Sequence, residues 1–349
     1  MAEAVRRAAP AATVVLGGVH ASTVPASALA EAPAFDHVLA GEGEAAMVEL
    51  ASGVAPEQVA GLWLRRPDDG AAICPSGPRA PAESLDDLAW PLREGLLWAE
   101  GGAHPVLREA VITVRGCPYR CIYCAVPGLD DRRTRYRSAE GVTDEIEALR
   151  EQWDPGYLFF HDSVFTMHRR RTLELCDRLA ARGPALPFTC QTRADRVDPE
   201  IADALARAGC NRVFLGIESG DTESLRRMRK DVPLKQVTDA IEQLTTAGVA
   251  CSGYFMVGFP WEDPDSIGRT AQFATSVGLD SVSLFSATPL PGTELWDLAR
   301  QDARRVPSAP DFRRPQVNLT AMPDDEYASL FGEVRARCDA YNASVMNGP

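Results

Sequence analysis

The run Cys117-Pro118-Tyr119-Arg120-Cys121-Ile122-Tyr123-Cys124 places three thiols at C-x3-C-x2-C spacing, directly after the apolar stretch Val111–Gly116. A loop this short can turn all three sulfurs toward one centre. A closed structural zinc site takes four protein ligands. An iron–sulfur cluster ordinarily takes four cysteines as well. No fourth cysteine lies in the run. Three thiolates on a four-iron cluster leave one iron open to another molecule, which describes a catalytic cluster. A zinc-binding or inactive scaffold protein is the competing use of the same residues.

The remaining cysteines, Cys74, Cys176, Cys190, Cys210, Cys251 and Cys338, are scattered, and the total of nine is odd. That pattern argues against a secreted disulfide framework and for a reducing, cytoplasmic setting. Cys176 and Cys190 sit in apolar surroundings and read as small core residues. The chain has 349 residues, 45% hydrophobic and 24% charged, with a net charge of -13. These values fit a soluble globular protein and oppose general attraction to nucleic acid or an anionic membrane. No apolar run is long enough to span a bilayer. The arginine run Arg132-Arg133-x-Arg135-x-Arg137 reads as a solvated loop.

The elements that must position the cysteines follow from periodicity. Candidate strands are 110–115, 157–161, 187–190, 212–216, 252–257 and 281–286, separated by helical stretches near 139–152, 168–183, 198–208, 234–247 and 264–277. Val237, Ile241 and Leu244 follow one buried helix face. Repeated β-α units with apolar strands imply a parallel sheet covered by helices. Six units are fewer than the eight of a closed barrel. The fold expected is α/β: a partial (β/α)6 TIM-type barrel over 110–304. A small, incomplete Rossmann-like α/β segment occupies 1–54, a connector with a few short strands such as Gly61–Arg65 occupies 55–109, and a loop with one amphipathic helix 305–349.

Function in parallel barrels gathers at the carboxyl ends of the strands. The cysteine loop follows the first strand and His161-Asp162-Ser163 the second. Gln191-Thr192-Arg193 follows the third and Glu218-Ser219-Gly220 the fourth. Gly258-Phe259-Pro260 and Thr288-Pro289-Leu290-Pro291-Gly292 follow the last two. Each taken singly has an ordinary structural explanation, Asp162 as a helix cap and Arg193 as a surface ion pair. Their coincidence on one rim carries the weight.

In this setting the chain resembles the radical S-adenosylmethionine (SAM) superfamily, in the branch whose members often carry an N-terminal cobalamin-binding domain. The resemblance rests on the cysteine motif in its context, Phe159–Phe165, Gly216–Gly220 and Gly253–Pro260. It implies that Cys117, Cys121 and Cys124 hold a [4Fe-4S] cluster. It further implies that SAM chelates the open iron and is cleaved, with one electron from an external donor such as flavodoxin or ferredoxin, to a 5′-deoxyadenosyl radical. That radical takes hydrogen from a small-molecule substrate. Tyr123 then lies near adenine, Asp162 near the methionine amino group, Arg193 at the carboxylate and Glu218 at the ribose hydroxyls. Gly253 and Gly258 let the backbone approach adenine.

The N-terminal loops Gly17-Gly18-Val19-His20 and Gly41-Glu42-Gly43-Glu44 resemble the last two glycine loops of a cobalamin domain. Gly17, Gly18, His20, Gly41, Glu42 and Gly43 are then the cobalamin contacts. The sequence starts about one helix before them, so a doubly wound domain lacks its first units here. Gly41-x-Gly43-x-x-Ala46 is not read as a dinucleotide fingerprint, because Glu42 and Glu44 would repel a pyrophosphate. With cobalamin, the expected reaction is methyl transfer to carbon. Without it, the family resemblance admits a cyclase, isomerase, lyase or dehydrogenase.

Overall fold

Six apolar segments each supply a strand to one parallel sheet. The computed structural model describes residues 2–66, 72–93, 109–129, 132–183, 185–302, 305–306 and 311–346. Parts of the expected connector (67–71, 94–108) and of the tail (303–304, 307–310, 347–349) lie outside the described residues. The strands are β1 (Val15–Leu16), β2 (His37–Leu39), β3 (Leu62–Arg66), β4 (Ala72–Pro75), β5 (Ala110–Val111), β6 (Val114–Arg115), β7 (Arg135–Tyr136), β8 (Leu158–Phe160), β9 (Phe188–Thr192), β10 (Cys210–Glu218), β11 (Ala250–Val257) and β12 (Ser281–Ser286).

The large sheet runs β12-β11-β10-β9-β8-β5, every neighbouring pair parallel. The expected strand 110–115 is split into β5 and β6, because the buried Asp162 captures the N–H groups of Thr113 and Val114. β6 pairs instead with β7 in a two-stranded ladder. Helices Ala139–Trp153, Arg169–Ala181, Pro199–Arg207, Leu234–Thr246 and Pro264–Ala274 cover the outer face. Ser138, Asp198 and Asp263 cap three of them, satisfying N–H groups that a helix start leaves open.

The core forms between helices and sheet. Val213, Leu215 and Ile217 from β10 join Cys251, Phe255 and Val257 from β11, with Val237, Ile241 and Leu244 from the helix above. Cys176, Cys190, Cys210, Cys251 and Cys338 are buried in it, as small apolar residues. Helix Asp324–Met346 packs over β12, burying Tyr327, Phe331, Val334 and Cys338 along one stripe.

The N-terminal region forms a second sheet, β1-β2-β3-β4, parallel between β1 and β2 and antiparallel beyond. β3 and β4 belong to the segment expected to be a connector. β3 pairs with β2 and β4 with β3, so the N-terminal sheet runs on to Pro75, past the expected bound at 54. Among the described residues no helix is long and apolar enough to cross a membrane.

Candidate functional site

The cysteine loop is clamped from several sides. Both oxygens of Asp162 are engaged below it: Oδ1 accepts from Thr113 N at 2.6 Å and Val114 N at 2.8 Å, and Oδ2 from the Thr113 hydroxyl at 2.6 Å. In mid-loop, Ile122 N donates to Met228 O at 3.1 Å and Ile122 O accepts from Leu295 N at 2.9 Å. The Ile122 side chain is buried with Met228, Phe259, Leu295 and Leu319. Cys117 packs against Val164 and Met167. Tyr119 lies under the Arg193 guanidinium, 3.6 Å from its ring centroid. The Tyr119 hydroxyl accepts from Arg196 Nε at 2.6 Å.

The three thiols act on one another electrostatically. Burial pushes the Cys117 thiol up, and Cys121 adds to this against the pull of Arg193 and Lys230. Burial also pushes Cys124 up to about 11, with Cys121, Cys117 and Glu218 contributing. Among the described residues no three His, Cys, Asp or Glu side chains converge as donors to a single metal ion. The donor set itself is three thiols on one short loop. A four-iron cube binds its cysteines through separate irons and spreads them wider than one ion would. Sulfur donors suit iron–sulfur clusters, and a bound cluster's charge reverses the cost of ionising the thiols.

Two buried cations face the loop. Arg193 is 4% exposed. It pairs with Asp195, donates to Lys230 O at 2.7 Å and points Nη1 at Cys121 Sγ, 3.9 Å away. Burial works against its charge, but Asp195, Tyr119 and Cys121 together hold its pKa above the ordinary value. Lys230 is 5% exposed, and its Nζ donates to Glu218 Oε1 at 3.0 Å. The pair sits directly over Gly216, where a Cβ would stand 2.8 Å from Glu218 Oε1 and 3.0 Å from Lys230 Nζ. A register shift between Gly216 and Glu218, with Glu218 at φ 75, turns the carboxylate inward. Such bulges re-aim side chains beside sites. Sequence reasoning missed Lys230. It ends a charged run, Arg226-Arg227-Met228-Arg229-Lys230, that looks solvated.

The other expected SAM contacts fall into place unevenly. Tyr123 is partly buried with its ring edge-on to Phe259 at 6.0 Å, and burial and the Glu218 charge push its phenol well up. Asp162 is fully buried. Its hydrogen bonds all run to Thr113 and Val114, which makes it a brace of the loop. Arg193 is committed to Asp195, Lys230 and Cys121. Gly253 faces the outer core, where a Cβ would meet Leu279 at 2.6 Å and Phe255 at 2.9 Å. A Cβ on Gly258, at φ 101, would overlap the Tyr327 hydroxyl. Both glycines are required by packing, whatever their backbone approaches.

The N-terminal glycine loops meet the barrel rim. A cleft of about 560 Å³ has Gly18, Gly41, Glu42 and Gly43 on one side and Val114, Arg115, Gly116, His161 and Ser163 on the other. Ser22 ties the two loops, accepting from Gly41 N at 3.0 Å and donating to Gly18 O at 2.9 Å. Gly17 and His20 are exposed outside that lining. Glu42 does not offer its carboxylate to the cleft. It accepts from Arg115 at 2.7 Å, from Arg135 at 2.8 Å and from Ala82 N at 2.8 Å. Burial opposes its ionisation, but the two arginines bring its pKa down to about 2. The same contacts correct the solvated-loop reading of the arginine run: Arg135 is buried against Glu42, and Arg137 pairs with the buried Glu145.

Comparison with known proteins agrees with this geometry. Residues 111–274 match the radical SAM superfamily. The chain is 29% identical over 287 residues to an uncharacterized methyltransferase, PH0819, of Pyrococcus horikoshii, covering 82% of this chain and 62% of that protein. It is likewise 29% identical over 300 residues to the anaerobic magnesium-protoporphyrin IX monomethyl ester cyclase of Rubrivivax gelatinosus, covering 82% and 53%. The chain thus spans between half and two thirds of these relatives. Its fold matches that of the radical SAM methyltransferase TsrM from Kitasatospora setae, solved with cobalamin and a [4Fe-4S] cluster. The TM-score there is 0.69 at 20% identity, over 86% of this chain and 59% of that one. Residues 111–274 thus carry the match to the radical SAM superfamily, and the curated relatives extend the similarity over 82% of the chain.

Proposed function

We propose that this chain cleaves SAM reductively and directs the outcome to methylation of a small molecule, with cobalamin held at the N-terminal cleft. The observation that carries the reading is the cysteine loop, clamped at the mouth of the partial barrel with two buried cations turned toward it. When bound, a [4Fe-4S] cluster supplies the electron that breaks a SAM carbon–sulfur bond, and cobalamin supplies a carrier for the methyl group. Cys117, Cys121 and Cys124 are the cluster ligands.

The residues then divide as follows. Lys230 holds the methionine carboxylate, since a buried ammonium has three donors and Glu218 takes one. The second Glu218 oxygen accepts from ribose hydroxyls. Tyr123 flanks adenine. Arg193 sets the charge beside Cys121, and Asp162 fixes the strand that delivers the loop. Gly18, Gly41 and Gly43 leave open backbone for the corrin, facing His161 and Ser163 across the cleft. An external one-electron donor completes the system.

The test is product analysis after anaerobic reconstitution with SAM, reductant and hydroxocobalamin. The reading expects 5′-deoxyadenosine, S-adenosylhomocysteine and retained corrin. The relatives include a cyclase, and 5′-deoxyadenosine alone, without corrin binding, would move the assignment to that class. A colourless, zinc-containing protein would remove the reading altogether.

A further inference from the structure

We infer that the barrel lumen is shaped for a planar aromatic substrate carrying a carboxylate, an inference that rests on the SAM-cleaving reading above and names its substrate class. Strand alternation sets which residues face inward. Val213, Leu215 and Ile217 lie in the helix-side core, as do Phe255, Val257, Val282, Leu284, Leu158 and Phe160. Phe214, Tyr254, Phe285 and Phe159 therefore face the lumen. Phe214 and Tyr254 stack, with centroids 5.3 Å apart and planes at 14°. Phe285 meets Tyr254 edge-on at 5.8 Å. Phe159 stands two strands away on the opposite side of β9. All four remain partly exposed. A lumen packed only for stability is filled by branched aliphatic side chains.

The floor below these rings is cationic. Arg212, partly buried, faces inward two residues before Phe214. Its Nη1 donates to Ser252 Oγ at 2.7 Å, which in turn shares a hydrogen bond with Ser281 Oγ at 2.6 Å. No carboxylate pairs with Arg212 among the described residues, whereas Arg115, Arg135, Arg137 and Arg193 each have one. Two strand residues rise about 7 Å, the offset between an aromatic ring and a carboxylate on a short side arm. A guanidinium fork suits a carboxylate, and a stacked ring pair suits a flat ring. Seated this way, the ring lies below Gly216, on the side of the Lys230–Glu218 pair.

The test is equilibrium binding to the reconstituted full chain, with SAM and without reductant, of indole-3-acetate, indole-3-acetamide and cyclohexylacetate. Indole-3-acetate is expected to bind about tenfold more tightly than the amide and about fivefold more tightly than cyclohexylacetate. Arg212→Gln should erase the preference for acid over amide, Arg212→Lys should restore part of it, and Tyr254→Leu should erase the preference for indole. Circular dichroism checks that each variant folds, and the contrast among probes on the unaltered chain needs no variant. Equal binding of all three probes, no saturable binding, or preferences unmoved in folded variants would overturn the inference. Because nothing turns over, the two ideas fail separately. 5′-Deoxyadenosine formed without this binding pattern sinks the lumen assignment alone, and the pattern without 5′-deoxyadenosine sinks the SAM reading alone.

Discussion

Replacing Glu262 by glutamine should make the chain more stable above neutral pH. Glu262 is 3% exposed. Its Oε2 accepts from Gly258 N at 2.7 Å and Phe259 N at 3.0 Å, and Oε1 is buried without a hydrogen-bond partner among the described residues. Burial raises its pKa from 4.5 to about 7, the nearby Asp221 charge adding to it and the two N–H donors opposing. A raised folded pKa means that the folded chain binds the proton more tightly than the unfolded one. The resulting stability is complete below pH 4.5 and fades as pH rises through 7. The gap between 4.5 and about 7, at about 1.36 kcal/mol per pH unit, makes about 3 kcal/mol lost by pH 8.5. Glutamine keeps an acceptor for both N–H groups and has no charge to bury. The assay is anaerobic urea unfolding of the metal-free wild type and Glu262→Gln between pH 5 and pH 8.5. The two should lie within about 1 kcal/mol at pH 5 and separate by about 3 kcal/mol at pH 8.5, the variant being the more stable. Taking the difference between the chains cancels every group they share, His37 and Asp162 included. Parallel pH profiles would refute the burial argument.

Lys230→Met should leave Glu218 buried and unpaired, destabilising the chain by about 3–5 kcal/mol and weakening SAM binding; adding Glu218→Gln should recover stability but not SAM affinity, measured by chemical unfolding and equilibrium dialysis. Asp162→Asn keeps an oxygen for the N–H groups of Thr113 and Val114 but replaces the acceptor of the Thr113 hydroxyl by an amide donor, and should cost about 1 kcal/mol, with lower iron content after reconstitution. Gly258→Ala forces a Cβ into the Tyr327 hydroxyl at a left-handed φ and should cost about 3 kcal/mol, read as a lowered unfolding midpoint.

The barrel was legible because short apolar strands recur between helices that bury one face, so most expected boundaries fall within two residues of those found. The cysteine loop was legible because three like ligands at close spacing have few structural uses. Other features depend on contacts between distant segments. Lys230 meets Glu218 because the bulge at Gly216–Glu218 turns the carboxylate inward, which no local pattern marks. Gly253 and Gly258 sit in a motif, but which face each turns to its neighbours depends on Leu279 and Tyr327, from other elements. Glu42 looks like a loop residue facing ligand until Arg115 and Arg135, more than seventy positions on, claim its carboxylate. The short strand at 61–65 was legible, but its pairing with β2, and that of β4 with β3, joins segments far apart in the chain.

The most direct measurement is electron paramagnetic resonance of the anaerobically reconstituted, reduced chain before and after adding SAM, beside Cys121→Ala. Wild type should hold about four irons and show a cluster signal that SAM reshapes, while the variant loses both the signal and 5′-deoxyadenosine formation. A signal indifferent to SAM, or a variant that still forms 5′-deoxyadenosine at the wild-type rate, would contradict an open iron held by these three thiolates.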